Sequence, residues 1–262
     1  MKIKELTDII EAAADLSWQA GYDNAGLIVG DSEAEVGAAL LCVDITESVL
    51  EQAIEVGAGL IIAHHPIIFH GLKQITGQTY IQRVVAKALQ HGIALYACHT
   101  NLDSAPLGIS HRLGDMFGLK EIALLEPTRT ERPDVGFGIV GELPDEESVE
   151  GFLNRVKSVL GLKALRYSRP YKKQVRRVAI CSGSGGSLIG KAKEAGADVY
   201  IAADFKYNDF LDADRELVIA DAGHFETEYC AIDILFEIIR KKIPTFALYK
   251  SNSSENPVNY LV

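Results

Sequence analysis

The stretch AGLIIAHHPIIFHG, residues 58–71, decides how the chain is read. Its apolar run, Leu60, Ile61, Ile62 and Ala63, stops at His64, His65 and Pro66. Neighbouring side chains of a strand point to opposite faces. Two adjacent histidines therefore share a task only where the chain is leaving the sheet. Pro66 provides that exit, because proline lacks an N–H and does not continue a central strand. Burying two imidazoles without partners is costly. The segment reads as a buried strand whose carboxyl end turns both rings toward one point.

Two further runs follow the same plan. Residues 38–43 (AALLCV) end at Asp44, and residues 93–98 (IALYAC) end in His99-Thr100-Asn101-Leu102-Asp103. Helical spacing separates them. Residues 46–56 read as a helix with Thr46 as N-cap, residues 80–89 as a helix closed by Gly92, and residues 109–117 as a helix stopped by Gly118. Continuous apolar strands alternating with helices imply a mostly parallel sheet covered on both faces, an α/β fold. In such sheets sites form at the carboxyl ends of strands. Polar residues far apart in sequence thus gather on one rim.

A polar, proline-bearing break follows at residues 126–135 (EPTRTERPDV), and then a second α/β stretch. Strands are expected at 135–140, 175–180, 199–202 and 217–220, with helices at 148–160 and 187–195. One long helix is expected over 225–240 and a last strand near 245–248. The late segment Asp221-Ala222-Gly223-His224-Phe225-Glu226-Thr227-Glu228 repeats the strand-end pattern. His224 and Glu228 are four apart at a helix start, which stacks them on one face.

His64, His65, Asp103, His224 and Glu228 make a mixed nitrogen and oxygen donor set. It suits zinc, iron, manganese, cobalt or nickel better than copper(I) or calcium. Five donors exceed the three protein ligands of a typical catalytic zinc. Two divalent ions sharing a carboxylate use them all. Asp44 is a candidate orienter of a ligand imidazole, His99 reads as a supporting residue, and Asn101 and Thr227 as substrate contacts. His70, His91 and His111 read as ordinary histidines. The turn Ser182-Gly183-Ser184-Gly185-Gly186-Ser187 follows a strand and opens a helix. Two readings stand for it: an anion cradle, or a tight turn that lacks the Lys-Ser/Thr ending of a phosphate loop.

Bulk properties narrow the class. The 262 residues are 48% hydrophobic and 24% charged, ordinary for a globular protein. The formal net charge of −10 argues against capture of nucleic acid. Lys172, Lys173, Arg176 and Arg177 form the dense basic cluster, read as a solvated loop or strand edge. Cys42, Cys98, Cys181 and Cys230 make no Cys-x-x-Cys pair and read as buried thiols in a reducing compartment. Glu5, Asp8 and Glu11 rule out a signal peptide over residues 1–14, and no run suits a membrane span. A cytoplasmic protein is expected.

The chain resembles the Ngg-interacting-factor-three-like family, the bacterial homologues of GTP cyclohydrolase type 2. The carriers are Asp23-Asn24-Ala25-Gly26-Leu27, Val43-Asp44-Ile45-Thr46, Ala63-His64-His65-Pro66, His99-Thr100-Asn101-Leu102-Asp103 and Gly223-His224-Phe225-Glu226-Thr227-Glu228. The resemblance implies two interlinked α/β lobes: a metal-binding lobe of residues 1–125 plus 217–262, completed by the C-terminal segment, and an inserted lobe of residues 126–216. It implies a homohexameric toroid, with Glu228 bridging two ions. It also implies a metal-dependent hydrolase acting on a nucleotide or phosphate-bearing small molecule, with a non-enzymatic metal-binding scaffold as the alternative. Tyr22-Asp23-Asn24 stands where the family often has Trp-Asp-Asn, Asn208 where it has histidine, and Ala203 where it has glycine. The five donors match the family's motifs.

Overall fold

The apolar runs that end at Asp44, His64 and His99 become neighbouring strands of one sheet. The computed structural model describes residues 1–261. Its strands, in chain order, are β1 (Gly26–Val29), β2 (Ala38–Cys42), β3 (Leu60–Ala63), β4 (Ala94–Ala97), β5 (Lys120–Pro127), β6 (Gly136–Ser148), β7 (Arg166–Tyr167), β8 (Gln174–Ser184), β9 (Val199–Ala203), β10 (Val218–Asp221) and β11 (Ala247–Lys250). They form a five-stranded sheet ordered β1-β4-β3-β2-β11 and a six-stranded sheet ordered β5-β6-β8-β9-β10-β7. The chain divides into two compact units: residues 1–102 with 231–255, and residues from Asp103 to Cys230 with those from Asn256 onward.

In the first unit β2, β3, β4 and β11 run parallel, and only β1 runs antiparallel, on β4. The sheet is thus mostly parallel and completed from the C-terminal side, as the sequence implies. Leu40, Cys42, Ile61, Ala63 and Leu95 face one layer with Val49, Leu50, Ala53, Val84, Val85 and Ala88 of helices Glu47–Glu55 and Tyr80–Gln90. The alternate residues Ala39, Leu41, Ile62 and Tyr96 are equally buried, so the opposite face is covered too. Helix Ile3–Glu11 packs with helix Ala231–Lys242, which reaches β2. Thr46 caps its helix, accepting from Val49 N at 3.3 Å. Gly92 and Gly118 sit at positive φ, 65° and 75°, where the helices end.

The second unit has a mixed sheet: β8, β9 and β10 are parallel, while β5, β6 and β7 pair antiparallel. Residues 126–135 are no linker. Glu126 and Pro127 finish β5, and the remainder is the hairpin loop into β6, closed by Thr128 N donating to Val135 O at 2.9 Å. The division of the chain also differs from expectation. Residues 103–125 and 217–230 belong with the second unit, because β5 hydrogen-bonds to β6 and β10 to β9. The expected long helix over 225–240 is two helices, His224–Glu228 and Ala231–Lys242, and the unit boundary falls between them.

Three of the four residues of the basic cluster are ion-paired in place. Lys172 pairs with Asp198 at 2.6 Å, while Arg176 and Arg177 both pair with Glu142, at 3.0 and 3.1 Å. All four cysteines are buried. Among the described residues no helix is long and apolar enough to cross a membrane.

Candidate metal centre

Parallel pairing puts the carboxyl ends of β2, β3 and β4 side by side: Cys42 lies opposite Ala63, and Ala63 opposite Ala97. The residues that follow each strand therefore share one rim of the first unit. His64, His65 and His99 gather there, each offering a ring nitrogen within 4.8 Å of the others. Their ring centroids are 4.9 to 5.4 Å apart. His64 is fully buried.

What orients these rings is a set of oxygen acceptors. His64 Nδ1 lies 2.9 Å from Cys98 O, His65 Nδ1 2.8 Å from Asp44 Oδ1, and His99 Nδ1 2.7 Å from Asp23 Oδ1. A carbonyl or carboxylate oxygen only accepts, so each Nδ1 is the donor and each ring lone pair rests on Nε2. That is how proteins prepare imidazoles for a cation. Asp44 thus has the orienting contact expected of it. Asp23 is the residue that sequence reasoning passed over, although it lies in a quoted motif; its link to His99 is made only by folding. Its second oxygen accepts from Thr100 N at 3.1 Å and from Thr100 Oγ1. Burial pulls the Asp23 carboxyl upward, but the bonds from His99 and Thr100 win and hold it at about 2.

The second unit assembles an acidic group from three distant segments. Asp103 begins the unit, and its Oδ1 accepts from Ser182 Oγ, at the end of β8, at 2.7 Å. The short helix after β10 carries His224 and Glu228 on one face, with Nε2 and Oε2 3.0 Å apart. His224 Nδ1 is held by Asp204 Oδ2 at 2.7 Å. Asp204, at the end of β9, was not singled out from the sequence as a site residue. Its left-handed φ of 59° aims a short acidic side chain where the regular strand has ended. Glu228 is only 3% exposed. Burial, reinforced by the Asp103 and Glu228 carboxylates, pushes the Cys181 thiol up to about 12.

His224 and Glu228 offer a divalent cation a pair of donors. The anionic donors Asp103 and Glu228 are concentrated, one is buried, and the negative potential is felt by a neighbouring thiol. Donor atoms that share an ion at about 2.0–2.2 Å stand roughly 3 Å apart, the spacing of His224 Nε2 and Glu228 Oε2. The five sequence-selected donors thus fall into two sets, His64 and His65 in the first unit and Asp103, His224 and Glu228 in the second.

The glycine turn belongs to this scaffold. Gly183 has φ 59°, and a Cβ there would lie 2.0 Å from Glu228 Oε1. Its N–H donates to Thr227 Oγ1 at 3.0 Å, and Gly185 N donates to Ala203 O at 3.3 Å. With those N–H groups committed, the turn reads as a close-packing device rather than an anion cradle. Thr227 and Asn101 are fully buried. Thr227 Oγ1 donates back to its own helix at 2.9 Å. Asn101 accepts from His99 N at 2.9 Å and donates to Ala14 O at 2.8 Å. Both are tied into the fold by these bonds.

Comparison with known proteins agrees with this reading of the fold. The family model described as Duf34/NIF3 (NGG1p interacting factor 3) matches residues 1–257. A Clostridium perfringens protein named "GTP cyclohydrolase 1 type 2 homolog" is 33% identical, covering 100% of both chains. One of the same name from Campylobacter jejuni is 31% identical over 99% of this chain and all of its own. Among solved structures, Staphylococcus aureus protein SA1388 superposes with a TM-score of 0.91 at 26% identity, covering 100% of this chain and 99% of its own.

Proposed function

The chain belongs to the Duf34/NIF3 family, and from that premise we propose that it is a dinuclear metal-binding protein acting as a metal-dependent hydrolase on a nucleotide or phosphate-bearing small molecule. The observation that carries the reading is the fixed tautomer of the imidazoles: Cys98 O, Asp44 and Asp204 hold the Nδ1 atoms of His64, His65 and His224. His64, His65, Asp103, His224 and Glu228 are the proposed ligands of two divalent ions, with Glu228 shared. Zinc, iron, manganese, cobalt and nickel all suit the set. Bound there, such ions supply Lewis-acid polarisation of an electrophile and activation of water near neutral pH.

The chain's own residues do the rest. Asp44 and Asp204 keep their histidines in the tautomer that donates electrons from Nε2. Gly183 lets the backbone approach Glu228 without displacing it. Support for nucleotide chemistry comes from the printed names of the relatives, GTP cyclohydrolase homologues. A homohexameric toroid in the cytoplasm is part of the same proposal.

Elemental analysis beside a turnover screen tests it. Purified protein is expected to carry close to two equivalents of metal and to hydrolyse at least one compound among GTP, other nucleotides and model phosphoesters. Glu228→Gln is expected to lose both. A second reading, a metal-binding scaffold or interaction protein without turnover, is favoured by the family description, which names an interaction. Full metal content with no turnover across that panel selects it.

A further inference from the structure

Beside the three-imidazole rim of the first unit lies an exposed aromatic pair. Tyr22 is 70% exposed and Phe69 40%. Their ring centroids are 6.2 Å apart at 48°, and the Phe69 ring stands 6.2 Å from His99 at 80°. Single exposed aromatics need no explanation. This pair differs because the backbone under both rings is tied down. Asp23, next to Tyr22, holds His99 and Thr100. Asn24 Nδ2 donates to Ile68 O at 2.6 Å, joining the two loops directly beneath the rings. Ile67 is buried in the core cluster and Ile68 packs against it. The rings are therefore displayed on fixed supports, which lowers the entropy lost when a ligand docks.

The spacing decides what kind of ligand fits. Sandwiching a flat ring between two others needs about 7 Å, twice the 3.5 Å carbon contact distance. At 6.2 Å and 48°, Tyr22 and Phe69 do not sandwich anything; a flat ring stacks on one of them and meets the other at an angle, a one-sided cradle. A ring stacked there lies near the imidazole rim, because Phe69 itself stands 6.2 Å from His99. We propose that Tyr22 and Phe69 are a stacking platform that binds a planar heteroaromatic ring of the substrate, a nucleobase-type compound, with the ring rather than a phosphoryl group set beside His64, His65 and His99. This deepens the hydrolase reading and rests on it for the word substrate.

The test is binding, by calorimetry on the intact metal-loaded protein. Guanosine monophosphate and ribose 5-phosphate are the probes, since they share a phosphate and differ by the base. The monophosphate is expected to bind at least about tenfold tighter, the scale of one base–aromatic stack. Tyr22→Ala and Phe69→Leu should each remove most of that preference, while Tyr22→Phe keeps it, with metal content and thermal midpoint unchanged. Equal binding of the two probes, binding of neither, or an intact preference in both variants overturns the platform. So does a change of sedimentation mass in Tyr22→Ala with the preference intact, which assigns the pair to contact between copies. Base preference without turnover would sink the hydrolase and spare the platform; turnover without preference does the reverse.

Discussion

The two units bring different chemistry to their polar groups. The first gathers three imidazoles, each with Nδ1 clamped by an oxygen. The second sets the Asp204 and Glu228 carboxylates against one imidazole, His224; Glu228 is buried, and burial together with the Asp103 and Glu228 acids pushes the Cys181 thiol up to about 12. A buried carboxylate such as Glu228 is costly without a cation beside it. The comparison teaches that metal dependence of stability should be felt most at Glu228 in the second unit.

The strongest way to break that contrast is Glu228→Gln. Bound metal should fall below half and turnover more than about 100-fold, beyond the usual effect of losing a supporting residue. In chelator the variant should melt no lower than the parent, because a buried charge is gone; a clear drop would refute the asymmetry. Next is Gly183→Ala. The added methyl meets Glu228 Oε1 at a position with φ 59°, and a cost of about 2–3 kcal/mol is expected. The thermal midpoint should fall by roughly 5–10 °C, with hydrogen exchange rising in the second unit first.

Smaller effects sharpen the comparison. Asp44→Ala and Asp204→Ala remove the Nδ1 acceptors of His65 and His224. Each should weaken metal binding about 10- to 100-fold, read by competition with a chelating dye. The acid limb should show the smallest effect. Burial raises the Asp198 carboxyl, but Lys172 and the N–H groups of Arg176 and Arg177 outweigh it, and the net shift is downward. A depressed carboxylate contributes stability that is present above its unfolded value, 3.8, and is lost as pH falls below it. Asp198→Asn should flatten the decline of unfolding free energy below about pH 4 by 1 kcal/mol or less.

The parts of the fold that sequence makes legible are those whose burial is two-sided. β2, β3 and β4 are continuous apolar runs because helices cover both faces of their sheet. β1 escapes notice because Gly26 and Gly30, at φ 113° and 115°, break its pattern and only an edge is joined. β5 escapes because an edge strand mixes Lys120, Glu121 and Glu126 with its apolar residues. The continuous helical pattern over 225–240 hides the break after Glu228. At the site, adjacent histidines, a strand-end acid and an i,i+4 pair announce the donors. Asp23 and Asp204 are silent, because each meets its histidine through tertiary contact, 76 and 20 residues away.

One peripheral feature has a practical side. The β5–β6 hairpin loop begins and ends at a hydrogen-bonded pair, Thr128 and Val135, and residues 129–134 are half-buried or exposed. Closure entropy grows only slowly with added length, and exposed loop tips are where grafted segments are best tolerated. A fluorescent reporter or a whole guest domain spliced in at Arg132 would leave strand register untouched, making this loop the natural handle for labelling or tethering the molecule.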